Sequence, residues 1–209
     1  MQQHKSHMSN HEALDVYSRF CRVIDQIHGV FLDATVGMGQ HARQLMAADL
    51  TRLQSIPRGI AITPEELNPT IVYSGQIGSQ DADLHTTSLH EVIARNTVDG
   101  ANWDFLAQMC VAAAYGYWED FYRGALATAL QVEKKVLLDD VFGELGALRH
   151  AIIHNNGRST SKVARNKILP RFGIGTHVAL TSQHIHDLMD ETKRGAHRLL
   201  QAKPDVPAA

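Results

Sequence analysis

Cysteine is scarce: 209 residues contain two, Cys21 and Cys110, each inside an apolar helical pattern and without the spacing of metal ligands. A disulfide scaffold is thereby excluded, and both side chains suit buried small hydrophobes in a reducing compartment. Long apolar runs are absent as well. None approaches the roughly 18 residues of a membrane span, and the opening MQQHKSHMSN has no apolar signal core, so a soluble, cytoplasmic protein with no membrane partner is expected. An excess of one charge is lacking too. Twenty Lys and Arg against 22 Asp and Glu leave −2 at pH 7, so a nucleic-acid or anion partner must be met by a local patch rather than by a global field. No fixed-period repeat or heptad run is evident.

What is present is core and helix signal. A hydrophobic share of 44% supports a single large domain over residues 10–201, between a loose N-terminus at 1–9 and a loose tail at 202–209. Leu14, Tyr17, Cys21, Ile24, Ile27, Phe31, Met38 and Leu45 recur at helical intervals. They predict one long helix or two, broken near Gly37 and Gly39. Residues 57–78 carry prolines, glycines and the short patch TIVYSG, which predicts an irregular insertion. A short helix is expected from Thr87 to Ala94. Asn102 is the expected N-cap of a continuous helix to about Leu130. Asp139 or Asp140 caps the next helix, which ends at Asn155 or Asn156 with Gly157 left-handed. Thr181 caps a last helix whose inner face is Ile185, Leu188, Met189, Thr192, Ala196 and Leu199. The expected fold is all-α, an antiparallel bundle of four to five main helices.

The stretch with most chemistry is Arg149 to Gly157, RHAIIHNNG. At about 100° per residue, Val141, Leu145, Leu148 and Ile152 form one core stripe of the helix that carries it. Arg149 flanks that stripe, and His150 and His154 stand one turn apart on a face roughly opposite to it. Between Glu144 and Asp187 the chain has Arg149, Arg158, Lys162, Arg165, Lys167 and Arg171 and no acidic residue, a basic surface inside a slightly acidic chain. Phosphate is the matching partner. A histidine moves a 2′-hydroxyl or leaving-group proton near neutral pH, and a guanidinium holds the phosphate and stabilises its added charge. That is metal-independent RNA cleavage, with no cofactor.

Arg149, polar His150 and His154 together resemble the R-polar-x3-H signature of HEPN domains. ELGALRHAIIHNNG is similar to that family's helix end, and AAAYGYWEDFYRGAL resembles the aromatic-acidic helix that often precedes it. The resemblance implies a bundle that dimerises, with two signature helices meeting in a composite ribonuclease site and RNA as substrate. It also implies a role as a toxin or defence effector, with a possible antagonist or regulatory protein. Carried onto this sequence, Arg149 would hold the scissile phosphate and His154 would be the general acid or base. His150 would occupy the polar position, Asn155 would help orient substrate, and Arg158, Lys162, Arg165, Lys167 and Arg171 would bind RNA. Glu119 is a candidate to pair with Arg149 and fix its rotamer, beside the simpler reading of an exposed helix carboxylate. Trp118, Phe121 and Tyr122 are expected in the core or at the dimer interface.

Three other readings compete, beside the plainest one, a helical bundle in which RHAIIH is only a helix terminus whose positive side chains complement the dipole. His150 and His154 at i and i+4 suggest a metal pair, but no Glu follows His150 as in HExxH and no third ligand is assignable. FLDATVGMGQHARQL at Phe31 to Leu45 resembles the first cofactor motif of an S-adenosylmethionine-dependent methyltransferase. That motif requires a βαβ unit, which the downstream sequence does not offer. The third is a non-catalytic HEPN-like module that binds RNA, nucleotides or another protein.

Overall fold

The computed structural model describes residues 2–77 and 79–202, with side chains from residue 11 onward; the expected loose segments at 1–9 and 202–209 lie outside these described side chains apart from Ala202. Among the described residues no helix is long and apolar enough to cross a membrane. The fold is mostly helical with one two-stranded sheet. It divides into two units, residues 1–31 with 105–209, and residues 32–104.

Helix α1 (Gln2–Gln54) contributes to both units and runs through Gly37 and Gly39 without the expected break. An isolated helical glycine costs only about 1 kcal/mol, less than packing returns. Gly39 is buried, with the site of its missing Cβ 3.8 Å from Trp103 Cζ2. An unbroken helix here leaves no strand end at FLD, which removes the methyltransferase motif. The buried stripe of α1 in the first unit is Ala13, Val16, Phe20, Ile24 and Phe31; Leu14 is exposed and Tyr17, Cys21 and Ile27 lie on its flank. Burial raises the Cys110 thiol to about 11 and also pushes Cys21 up, as for buried, unreactive thiols.

In the 32–104 unit the expected irregular insertion is ordered. Helix α2 (Pro64–Leu67) has a capping box between Thr63 and Glu66 and Pro64 at its first turn. Strands β1 (Thr70–Ile77) and β2 (Gln80–Ser88) then pair antiparallel, with Thr70 opposite Ser88 and a register irregularity at Tyr73/Ser74. This hairpin extends ten residues past the predicted end of the insertion, Ser88 against Gly78. β-Branched and aromatic residues in TIVYSG give it strand character, but alternation fails on its mostly exposed faces, which is why a strand pair was not expected. Ser88 then caps helix α3 (Leu89–Asn96) by accepting from Glu91 N. Helix α4 (Ala101–Tyr117) begins before Asn102, whose amide donates to Asn96 Oδ1 instead of capping.

The first unit holds the main core. Between α4 and helix α5 (Arg123–Leu130) the chain widens into a π turn, Trp118–Tyr122, where a continuous α-helix was expected. Trp118 is buried there and stacks on Phe142 at 3.7 Å with ring planes 8° apart, while Phe121 is exposed. Tyr122 flanks Phe20 at 5.2 Å. Helix α6 (Asp140–His154) is capped by Asp139, which accepts from Val141 N at 3.0 Å, and buries Val141, Leu145, Leu148 and Ile152 as predicted. Helix α7 (Ser182–Gln201) is capped by Thr181 as predicted, with His184 completing the capping box. All six of its expected core positions are buried. Asp139 also receives both arms of Arg198 from α7, at 2.8 and 2.9 Å, joining one helix start to the other helix. Residues 155–181 between α6 and α7 form an ordered loop whose Val163, Leu169, Val178 and Leu180 enter the core.

Candidate functional site

The site is built at the C-terminal end of α6. Asn155 is the C-cap, and Asn156 and Gly157 follow with φ of 50° and 69°. The Gly157 N–H bonds back to the carbonyls of Ala151 and Ile152 at 3.1 and 3.2 Å. A left-handed glycine is what such a helix stop requires, and a Cβ here would also sit 3.3 Å from the His177 ring. Asn155 Nδ2 donates to the Arg158 carbonyl at 2.7 Å, so its amide nitrogen closes the turn rather than facing outward for substrate.

His150 and His154 are both exposed, their ring centroids 5.2 Å apart. Arg149 is half-buried, its guanidinium carbon 5.7 Å from the Tyr115 ring centroid. Arg149 and His150 line a groove of about 480 Å³ with Tyr115, Gly143, Gly146 and Lys162. His154 does not line it; the two signature residues are presented on different sides of the helix, as their five-residue spacing dictates.

Glu119 does not pair with Arg149. Its carboxylate takes Arg123 Nη1 and Lys134 Nζ, each at 2.9 Å. Burial alone would push this carboxyl up, but the hydrogen bonds from Lys134 and Arg123 outweigh it and hold the group below the ordinary range. The physical reason is local: Arg123 stands four residues after Glu119 on the same helical face, and Lys134 closes on the same carboxylate. Aromatic rather than carboxylate contact therefore supports Arg149, through Tyr115.

The basic residues are spread along the loop after α6. Arg158 Nη1 donates to the Gly175 carbonyl at 3.1 Å and Arg165 Nε to the Ser161 carbonyl at 3.1 Å. Lys162, Lys167 and Arg171 are exposed. Among the described residues, none of these five and not Arg149 is ion-paired. Sequence reasoning placed Glu144 only as the edge of the basic stretch. Its carboxylate accepts three successive backbone N–H groups, Lys167 at 2.7 Å, Ile168 at 3.0 Å and Leu169 at 2.7 Å. This acid is thus spent on main-chain amides, which strap residues 167–169 to α6. Partners this far apart in the chain give no local signal.

The local arrangement offers two imidazoles for proton transfer and a guanidinium with nearby cations for phosphate. Among the described residues no group of three His, Cys, Asp or Glu side chains is placed to hold a metal ion. No family model, curated protein or solved structure matches the chain.

Proposed function

We propose that the protein is a metal-independent endoribonuclease of the HEPN type, an antiparallel helical bundle that dimerises and builds composite sites from Arg149 of one protomer and His154 of the other. The observation that supports it most is the open end of α6, where Arg149, His150 and His154 lie within two turns and none is ion-paired among the described residues. In this mechanism an imidazole takes the 2′-hydroxyl proton and that oxygen attacks the adjacent phosphorus. The 5′-oxygen leaves with a proton, giving a 2′,3′-cyclic phosphate and a 5′-hydroxyl. Arg149 stabilises the charge that builds on the phosphoryl oxygens, and the loop cations hold neighbouring phosphates. DNA lacks the nucleophile. The biological counterpart is growth control or defence against foreign genetic elements, under an antagonist protein carried on another chain.

A second reading, an RNA- or protein-binding module without cleavage, is favoured by one observation: Arg149 lines the groove and His154 does not, so one protomer alone does not bring the two side chains to one site. Incubation of mixed RNA with wild type, Arg149→Ala and His154→Ala in EDTA separates the two. Cyclic phosphate ends formed by wild type and reduced about 10²–10⁴-fold in both variants support the nuclease. Intact RNA, or equal cleavage by the variants, leaves the binding module.

A further inference from the structure

The groove beside Arg149 has properties that the cleavage chemistry does not use. Its floor is α6 itself at Gly143 and Gly146, where the helix carries no side chain. Gly146 is required for close approach: a Cβ there would lie 2.8 Å from Tyr115 Cε2, so the ring that walls the groove packs directly on the helix backbone. Gly143 is different, since a Cβ there would meet nothing within 4 Å. The far wall is the start of the loop after α6, with Thr160, Ser161 and Lys162. Among the described residues no carboxylate lines this groove. One side is therefore bare helix at Gly143 beside the Tyr115 ring and the Arg149 guanidinium over it, and the other carries Lys162, Thr160 and Ser161.

Bare helix backbone edged by a tyrosine ring suits a flat base, and nearby cations with Thr160 and Ser161 suit a phosphate diester; the two together suit one nucleotide. The volume of about 480 Å³ exceeds what a phosphate alone needs and falls within the range of small-ligand sites. A base already paired in a duplex cannot enter. We infer that, given the endoribonuclease proposal on which this rests, the groove is a subsite for one unpaired nucleotide next to the scissile bond. Its base lies over Gly143, edged by Tyr115, and its phosphate lies on Lys162, Thr160 and Ser161. The subsite confines the enzyme to single-stranded segments, and Lys162 and Tyr115 become specificity-determining residues distinct from the proton-transferring histidines.

The test measures binding without cleavage. The probe is a short fluorescent 2′-O-methyl RNA strand, which lacks the nucleophile, offered as single strand and as duplex to wild type, Gly143→Leu and Lys162→Ala, with adenosine monophosphate as competitor. Gly143→Leu puts a side chain into the open groove and replaces the poorest non-proline helix former, so its Tm holds or rises. The expected result is binding of the single strand at least about tenfold tighter than of the duplex, with a loss of at least about tenfold in both variants. Unchanged binding by Gly143→Leu overturns the subsite, as does equal binding of the duplex. Adenosine monophosphate competing as well as the strand does also overturns it, since a free nucleotide would then be the ligand. If wild type cuts RNA but Gly143→Leu binds normally, the subsite falls and the nuclease stands. If Gly143→Leu loses the strand while wild type cuts no RNA, the nuclease falls and the groove remains a single-strand site.

Discussion

The Glu144 carboxylate on α6 accepts the backbone N–H of Leu169 at 2.7 Å, across 25 residues of chain. With Lys167 and Ile168 bonded to the same carboxylate, the contact turns an irregular segment into a fixed wall beside the helix that carries Arg149 and His150. Charge-assisted bonds to main-chain amides need no cation.

Replacing Glu144 by Gln keeps the size of the side chain but removes the charge and one acceptor. We expect a loss of about 1–3 kcal/mol in urea unfolding, the range for hydrogen bonds to a charged group. The amides of Lys167, Ile168 and Leu169 should exchange faster in native-state hydrogen exchange while those of α7 keep their protection. Unaltered exchange at these three amides would show that the strap does not hold the loop.

RNA affinity should depend steeply on salt. Removal of Lys162, Arg165 and Lys167 together by alanine takes three of the six unpaired cations away from the loop and the end of α6. At roughly 0.7 per phosphate contact on a single strand, the slope of log K against log salt should flatten by about 2. Weakened binding with an unchanged slope would mean that these side chains do not touch phosphate.

Acid sensitivity should come partly from His28 on α1. Burial first, then the nearby His186 and Lys193, hold its imidazole below the ordinary range against the opposing pull of Asp25. The His186 ring lies 5.4 Å away. A depressed folded-state value means that the unfolded chain binds the proton more readily. The stability contributed is therefore full above about pH 6.5 and is lost as pH falls through the folded value. His28→Gln should lose less stability than wild type between pH 7.5 and pH 5.5, read from urea midpoints at both values. An identical loss in the two proteins would place the acid sensitivity elsewhere.

The helical content and the stop at Gly157 were legible because periodicity and caps are local: Asp139, Thr181 and Gly157 each act within a few residues of where they stand. The inner faces of α6 and α7 followed from the same arithmetic. The hairpin was not legible, since Ile77, Leu84 and Val72 are exposed and no alternating core face marks its strands. Gly37 and Gly39 suggested a break because propensity is blind to the packing of Gly39 near Trp103. At the site, the face shared by His150 and His154 was readable from one-turn spacing. Arg123, four residues after Glu119, lay within the same local arithmetic, whereas Lys134 on Glu119 and the amides on Glu144 depend on tertiary approach, the latter by a loop that returns to α6.

The central claim is that Arg149 and His154 act together across two protomers, and complementation tests it most directly. Arg149→Ala and His154→Ala protomers are purified separately, each inactive, then mixed, allowed to exchange subunits, and assayed on RNA in EDTA. A mixed dimer then carries one site with both side chains intact and one with neither. Recovery of cleavage, approaching half the wild-type rate per mixed dimer, is the predicted result. Mixed dimers that form and stay as inactive as either parent would contradict it.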